Sequence, residues 1–343
     1  MAEKNKRIGI LTAGGDCPGL NAAIRGVAKT AIVKHNMEVI GISSGFLGLL
    51  EMDYIDLTEE SVSGIITLGG TILGTSREKP FKKSKTLNID KPKLIKKNYD
   101  LLGLDCLVCI GGNGTMRTAA GLVNEGLNVI GIPKTIDNDV WGTDQTFGFD
   151  SALSIATDAM DRLHSTANSH KRIMVIEIMG HHAGWLALYS GLAGGGDVIL
   201  LPELGYDIDK VNKYLLKRAK KKKPYSIVVV AEGIESPKKR SAASYIAEEI
   251  EAGTGIETRK TILGYIQRGG SPSATDRLLA SSYGAYAVKL ISEGNYGQMV
   301  SVNKNQITHL PLEEVGGKLR LVPIDHPMLE RAKGLDISLG GII

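Results

Sequence analysis

The sequence has few aromatic residues, few cysteines and no long apolar run. Aromatic residues make up 5% of its 343 residues, and there are three cysteines. Cys106 and Cys109 have no second ligand pair for zinc, because Cys17 stands alone, so we expect buried thiols. No stretch approaches the roughly 18 apolar residues of a membrane span, and the charged start of the chain lacks the apolar core of a signal peptide. We therefore expect a cytoplasmic protein.

Glycine, by contrast, is abundant, with 42 residues, and 43% of the chain is hydrophobic. The length is nearer two domains than one, and many glycines with few aromatics favour an α/β protein over a β-sandwich. The net charge is +4, and the one dense basic stretch, residues 217–223, closes a predicted amphipathic helix. No aromatic residues interleave with its lysines to stack on bases, so we expect neither a nucleic-acid nor a membrane partner.

Short apolar segments alternate with longer segments of helical period. Continuous apolar strands that alternate with helices predict parallel sheets covered on both faces, which bind ligands at the carboxyl ends of their strands. The predicted strands are residues 8–12, 38–43, 106–110, 128–132, 173–178, 198–201, 226–230 and 299–302. The predicted helices are residues 20–35, 116–126, 152–165, 208–222, 242–252 and 276–293.

Two of these strands end in glycine-rich loops, AGGDCPGLN (13–21) and GGNGT (111–115). Glycine allows close approach of the backbone to a ligand, and the helix that follows offers amide donors to a phosphate. Either loop alone could be a tight strand-to-helix turn, but two at neighbouring strand ends favour phosphate binding. The chain contains neither GxxxxGK[ST] nor GxGxxG, so neither a common NTPase nor a dinucleotide-binding fold is indicated.

A third strand ends in the segment PKTIDND (133–139), which crowds two carboxylates, an amide, a hydroxyl and a lysine together. Phosphoryl transfer to an alcohol needs a carboxylate to accept the hydroxyl proton and cations to neutralise phosphates. Asp137 could be the base and Lys134 an electrostatic clamp. The alternative is a solvated acidic turn.

Arginines form a further group of candidates. Arg259 and the segment GYIQRGGSP (264–272) suit bidentate capture of a phosphate monoester, and Arg172 and Arg77 are additional candidates. A single arginine is more often a surface ion-pair partner, so this interpretation depends on the whole group.

Six strings of this sequence occur in the order typical of the phosphofructokinase family, which the chain resembles from residue 8 to at least residue 277. They are AGGDCPGLNAAIRG, GGTILGTSRE, GGNGT, PKTIDND, MGHHAGWLAL and LGYIQRGGSPSATDR. The resemblance is to bacterial-type 6-phosphofructokinases of the mixed-substrate subgroup. It implies two α/β domains with Rossmann-like parallel sheets and the active site in the cleft between them. It also implies a donor-binding domain at 1–138 plus about 256–303 and a sugar-phosphate domain at 139–255 plus about 304–343.

The resemblance also assigns roles to single residues. Asp137 is the implied proton acceptor for the 1-hydroxyl of fructose 6-phosphate, with Thr135, Asp139 and Lys134 as its catalytic neighbours. The donor would bind at Gly15, Arg77, Glu78, Gly112, Asn113, Gly114 and Thr115, and Mg²⁺ at Asn113 and Asp139. The sugar phosphate would bind at Thr135, Ile136, Asp137, Arg172, Met179, Gly180, His181, Glu232, Arg259, Tyr265 and Arg268.

Arg172 matches an arginine that reaches the substrate of a neighbouring subunit. A homo-oligomer is therefore implied, a tetramer in preference to a dimer.

Three residues depart from the family's usual pattern. Asn113 stands where a magnesium-binding aspartate is usual, and an amide holds a hard cation less well. His181 replaces an arginine, and Tyr265 stands where many bacterial ATP-dependent members have histidine. Asn113 and His181 keep open the alternative of a catalytically weakened homologue that senses sugar phosphates or regulates an active subunit.

The phosphoryl donor depends on two positions that disagree. Gly114 leaves room for the rest of a nucleotide, whereas pyrophosphate-using relatives carry aspartate there. Lys134 is typical of pyrophosphate users, although some ATP-dependent members pair glycine with lysine. Because exclusion by bulk and charge is hard to circumvent, we expect ATP, with pyrophosphate as the alternative. Sedoheptulose 7-phosphate remains open as an acceptor beside fructose 6-phosphate.

Overall fold

The computed structural model describes residues 5–82, 90–221, 223–237 and 240–341, and the chain forms two compact units. Unit 1 comprises Met1–Thr135, Asp139–Asp150 and Arg268–Leu319. Unit 2 comprises Ile136–Asn138, Ser151–Gln267 and Arg320–Ile343. These bounds differ from the predicted domains, because residues 136–138 and 256–267 fall in unit 2 while residues 139–150 and 304–319 fall in unit 1.

Unit 1 is built on a mixed sheet. Its strands are β1 (Arg7–Ala13), β2 (Glu38–Ile42), β3 (Tyr54–Asp56), β4 (Cys106–Gly111), β5 (Val129–Pro133), β10 (Gln298–Asn303) and β11 (Gln306–Pro311). Across the described residues their order is β11-β10-β5-β4-β1-β2-β3. The five central strands are parallel, and the two edge strands β3 and β11 are antiparallel to their neighbours. Such a sheet brings the carboxyl ends of its central strands to one edge.

Helices cover this sheet, and close packing between two of them depends on glycine. The helices are α1 (Leu20–Lys29), α2 (Phe46–Glu51), α3 (Lys91–Leu101), α4 (Asn113–Asn124), α9 (Ala274–Ser292) and α10 (Leu312–Val315). A Cβ on Gly284 of α9 would lie 2.6 Å from the backbone nitrogen of Val27 in α1, and one on Gly26 would lie 2.8 Å from the Ser281 oxygen. Side chains at these two glycines would therefore push the helices apart.

Unit 2 contains a smaller, wholly parallel sheet. Its strands are β6 (Ile173–Ile178), β7 (Val198–Leu200), β8 (Ser226–Ala231) and β9 (Thr258–Ile262), and their order in the described chain is β7-β8-β6-β9. β9 joins this sheet by pairing with β6, which is why residues 256–267 belong to unit 2. Its helices are α5 (Phe149–His170), α6 (Trp185–Ala193), α7 (Ile208–Lys220), α8 (Ala242–Thr254) and α11 (Pro327–Gly334).

The α/β class with parallel strands is confirmed, and every predicted strand exists. β3, β9 and β11 were not predicted. β3 is exposed along its whole length and β9 has one buried residue, so neither shows the apolar run on which the prediction rested. α7 ends at Lys220, and Lys222, the predicted last residue of that helix, lies outside the described residues. None of the described helices has the length and apolar character needed to cross a membrane.

Candidate active site

Three loops leave the same edge of the unit 1 sheet side by side. Ala13 at the end of β1 pairs with Gly111 at the end of β4, and Gly111 pairs with Pro133 at the end of β5. The two glycine-rich loops and the segment that begins at Lys134 therefore start level with one another. A ligand that requires groups from all three loops would find the loops starting side by side at this edge of the sheet.

The β1 loop is joined to the segment that carries Arg77 and Glu78. Gly14 has φ +84, and its amide donates to the Ser76 carbonyl at 3.1 Å. Arg77 is exposed, whereas Glu78 is half-buried and pairs with Lys91 at 2.7 Å. The structure thus brings the segment that carries Arg77 and Glu78, both predicted to bind the phosphoryl donor, next to the first glycine-rich loop.

Two cations lie against the β1 loop at Gly15. Lys134 is 3% exposed, and its Nζ donates to the Gly15 carbonyl. Arg268 Nη1 donates to the Asp16 carbonyl at 3.2 Å and would lie 2.8 Å from a Cβ on Gly15. A side chain at position 15 would displace the guanidinium from this place. The sequence assigned Arg268 to the sugar phosphate, but within unit 1 it contacts the predicted donor loop.

The β4 loop leads directly into α4. Gly111 has no room for a side chain, since its Cβ would lie 2.2 Å from Thr115 Oγ1. Thr115 is 6% exposed, and its hydroxyl donates to the Ala13 carbonyl at 3.3 Å, which ties this loop to β1. Gly112 precedes the helix, whose first amide groups have no intrahelical acceptors and can bind an anion. Gly114 is exposed, and a Cβ there would meet nothing within 4 Å.

Asn113 and Asp139 meet at the start of α4. Asn113 Nδ2 donates to the Asp139 carbonyl at 3.2 Å, and Asp139 is 7% exposed. The Asn113 Oδ1 atom is buried without a hydrogen-bond partner among the described atoms. An amide oxygen and a carboxylate are ligand types that suit Mg²⁺, which usually takes one or two carboxylates and completes its shell with waters and phosphate oxygens. In the described part of the chain no cluster of three or more His, Cys, Asp or Glu side chains could hold a metal.

The loop after β5 holds its polar side chains in buried positions. Thr135 and Asp137 are 7% and 8% exposed, and Thr146 Oγ1 donates to the Thr135 carbonyl at 2.7 Å. Asn138, which lies between the two aspartates in the sequence, has a left-handed backbone conformation with φ +52. Ile136 is fully buried. A carboxylate held this way can accept a proton from a hydroxyl placed beside it.

In unit 2 the loops after β6 and β8 are joined by one carboxylate. Ile178 and Ala231 end their strands in register. Glu232 Oε1 accepts from the amides of Gly180 at 3.2 Å and His181 at 2.6 Å. Gly180 has φ +154, which glycine tolerates, and His181 has φ +53, which is unfavourable for a residue with a side chain, so the carboxylate stabilises a loop with a strained backbone at His181.

The other side chains of this predicted pocket differ in exposure. Met179 is 9% exposed, whereas the side chain of His181 is exposed. Tyr265, in the turn after β9, is 75% exposed.

Arg172 and Arg259 lie at the opposite edge of the same sheet. Arg172 directly precedes β6, and Arg259 is the second residue of β9, whose Thr258 pairs with Ile173. Glu257 accepts from Arg172 Nε at 2.5 Å and from Arg259, and these arginines hold the pKa of Glu257 below its ordinary value. The length of the sheet therefore separates both arginines from the loop of Met179 and Gly180 in the same chain.

The three cysteines are free and buried, as the sequence predicted. Cys17 Sγ donates to the Phe147 carbonyl at 3.7 Å, and burial raises the pKa of its thiol to about 12. A thiol in this state is not a nucleophile at neutral pH.

Sequence reasoning missed two residues that bind carbonyls of the β5 loop, and one of them, Arg320, lies far along the chain. Thr146 binds the Thr135 carbonyl, and Arg320 Nη1 donates to the Asn138 carbonyl at 3.0 Å. Neither residue lies in a recognisable motif, so no local signal pointed to them.

Comparison with known proteins identifies the family. The phosphofructokinase family model matches residues 7–291. The chain is 61% identical over 335 residues to "ATP-dependent 6-phosphofructokinase 3" of Bacteroides thetaiotaomicron, covering 97% of this chain and 100% of that protein. It is 44% identical over 335 residues to "Pyrophosphate--fructose 6-phosphate 1-phosphotransferase" of Streptomyces coelicolor, covering 92% of this chain and 96% of that one.

A crystal structure of Pichia pastoris phosphofructokinase in the T-state superposes with a TM-score of 0.84 and 33% identity. The match covers 91% of this chain and 35% of that longer one. The chain belongs to the phosphofructokinase family, and its similarity to the bacterial relatives extends over nearly its full length.

Proposed function

We propose that this protein is an ATP-dependent 6-phosphofructokinase. The 1-hydroxyl oxygen of fructose 6-phosphate forms a bond to the γ-phosphorus of ATP, and the bond from that phosphorus to the β,γ-bridging oxygen breaks. ADP leaves, and the hydroxyl proton passes to Asp137. The observation that carries the proposal is the pair of buried aspartates, Asp137 and Asp139, that follow β5, a strand whose end pairs with the end of β4.

We assign donor binding to unit 1. The amino-terminal ends of α1 and α4 follow the two glycine-rich loops, and such ends bind phosphate through free amides and the helix dipole. Lys134 and Arg268 lie against the first loop and would neutralise charge on the transferring phosphoryl group. Arg77 and Glu78 would flank the nucleotide.

Magnesium fits the donor set of Asn113 and Asp139, which would hold it. When bound, the ion supplies positive charge to the β- and γ-phosphates of the donor. Asn113 contributes no negative charge, so we expect weak binding by the protein alone and binding mainly together with the nucleotide. The buried Asn113 Oδ1, which lacks a partner among the described atoms, supports this assignment.

ATP is the donor that the surroundings of Gly114 favour. Its Cα faces open space, so a bulky nucleotide meets no side chain there. Pyrophosphate is the second candidate, because Lys134 is typical of pyrophosphate users and one relative at 44% identity is named for that donor.

We assign sugar-phosphate binding to unit 2, where Glu232 binds the amides of Gly180 and His181. Met179 and Tyr265 lie in the segments that follow β6 and β9. Arg172 and Arg259 lie at the other edge of the sheet, which suits arginines that serve the substrate of a neighbouring subunit. We therefore propose a homo-oligomer, a tetramer, that works in the cytoplasm. The buried free thiols accord with a reducing compartment.

Steady-state assays of the purified protein with each donor and acceptor test these proposals. Fructose 6-phosphate and sedoheptulose 7-phosphate are each supplied with Mg²⁺ and either ATP or pyrophosphate, and the bisphosphate product is quantified. We expect the highest kcat/KM with ATP and fructose 6-phosphate. Faster turnover with pyrophosphate would refute the donor assignment. Sugar-phosphate binding without turnover on either donor would support the weakened homologue instead.

A further inference from the structure

Asn138 lies between the two aspartates of the β5 loop, and its carbonyl accepts a hydrogen bond from an arginine in the last part of the chain. Arg320 Nη1 donates to the Asn138 carbonyl at 3.0 Å. Asn138 is 5% exposed, and a buried carbonyl needs a hydrogen-bond donor. Its φ of +52 is a conformation that non-glycine residues keep only when their surroundings impose it.

Arg320 is itself fixed from two directions. Its guanidinium lies over the ring of Trp185, 4.1 Å from the ring centroid, which is cation–π contact distance. Its own backbone carbonyl accepts from Trp185 Nε1 at 2.9 Å. Trp185 is 2% exposed and begins α6, so one buried indole orients both the main chain and the side chain of Arg320.

A second contact anchors the same segment. Val322, two residues on, donates its amide to Glu203 Oε1 at 3.0 Å, and the same oxygen accepts from the Gly184 amide at 2.8 Å. Residues 320–326 contain no helix or strand, so these contacts, and not a regular element, place Arg320. The segment is therefore attached to the start of α6 at adjacent points.

We infer that Arg320 is a positioning residue for phosphoryl transfer, which acts by fixing the Asn138–Asp139 peptide and through it the two carboxylates that flank Asn138. This inference rests on the proposed function. A charged donor on the carbonyl of that peptide holds the peptide plane, and small displacements of a catalytic group lower turnover strongly. The inferred role gives Arg320 no contact with either substrate, so its loss should lower kcat and leave the KM values unchanged.

Variants of Arg320 test this. Arg320→Met keeps an apolar stem over the indole but removes every donor, and Arg320→Lys keeps one charged donor. We expect Arg320→Met to lower kcat by about 10- to 100-fold, with the KM for ATP and for fructose 6-phosphate within about twofold of the unmodified protein. Arg320→Lys should recover a large part of kcat. Arg331→Met, which removes an exposed arginine of α11, is the matched control and should have no effect.

Hydrogen exchange gives a readout that does not depend on catalysis. The amides of residues 136–140 should exchange faster in Arg320→Met than in the unmodified protein, and Arg331→Met should leave them unchanged. If Arg320→Met does not fold, Arg320→Lys decides by the same two measurements. The inference would be overturned by a folded variant whose exchange rates and kcat are both unchanged. It would also be overturned if the KM values rose by as large a factor as kcat fell. An unmodified protein without transfer activity would refute the proposed function instead, and the exchange rates would still decide whether Arg320 holds the loop.

Discussion

The carboxyl edges of the two sheets offer their ligands different kinds of groups. In unit 1 the loops after β1, β4 and β5 start in register and present glycine backbone, helix amino-terminal ends and buried side chains. In unit 2 the loop after β6 presents strained backbone, locked by Glu232, with exposed His181 close by. A phosphate chain can be bound by backbone amides, whereas a sugar phosphate must be recognised by side chains. The comparison predicts that substrate binding by unit 1 will be weakened by side-chain atoms added at its glycines. It predicts that substrate binding by unit 2 will be weakened by the removal of polar side chains.

The largest expected effect concerns Asp137, the proposed base in the loop after β5. Asp137→Ser removes the proton acceptor, and general-base loss typically lowers turnover by about 100- to 10,000-fold. The KM for fructose 6-phosphate should change far less, because binding does not require the proton transfer. Steady-state kinetics measures both. Asp161→Asn, which neutralises an exposed aspartate of α5, is the control. Retention of most of the turnover by Asp137→Ser would show that another group is the base.

Two glycines of the β4 loop sharpen the comparison within unit 1. In Gly111→Ala the new Cβ would lie 2.2–2.6 Å from atoms of Thr115, so we expect a loss of about 1–3 kcal/mol in the free energy of unfolding and weaker ATP binding. Gly114→Ala meets nothing within 4 Å and should be neutral or, as alanine in a helix, stabilising by up to about 1 kcal/mol. Denaturant unfolding measures both. Equal stability of the two variants would mean that the loop yields to the added methyl group.

The smallest expected effect is on the unit 2 loop. Glu232→Ala leaves the amides of Gly180 and His181 without their shared acceptor, and such a loss costs about 1–3 kcal/mol. We expect the KM for fructose 6-phosphate to rise by about tenfold, which corresponds to about 1.4 kcal/mol, while the KM for ATP stays the same. Glu235→Ala, three residues on and exposed, is the control. A larger rise in the KM for ATP than in the KM for fructose 6-phosphate would contradict the assignment of the sugar phosphate to unit 2.

Most of the central strands and the α/β class could be predicted, because β1, β4, β5, β6 and β8 are continuous apolar runs. β9 escaped prediction, since TRKTI begins with four consecutive polar residues and only Thr258 is buried. Its placement beside β6 also shifted the unit boundary, which no local pattern encodes.

The candidate site could also be predicted in part from the sequence. Motifs pointed to Asp137, Asp139 and the glycine-rich loops, because these lie directly after apolar strands. They did not reveal that Arg268 contacts the β1 loop or that Glu257 holds Arg172 and Arg259 at the far edge of the sheet.

The amino-acid sequence by itself determined which residue types stand at each strand end, since strand, turn and helix propensities act over a few neighbouring residues. Only the tertiary structure decided which of those ends meet and which distant side chains support them. Strand register, the left-handed Asn138 and the placement of Arg320 over Trp185 all depend on contacts between segments far apart in the chain. Such contacts form through packing, and packing has no local signature.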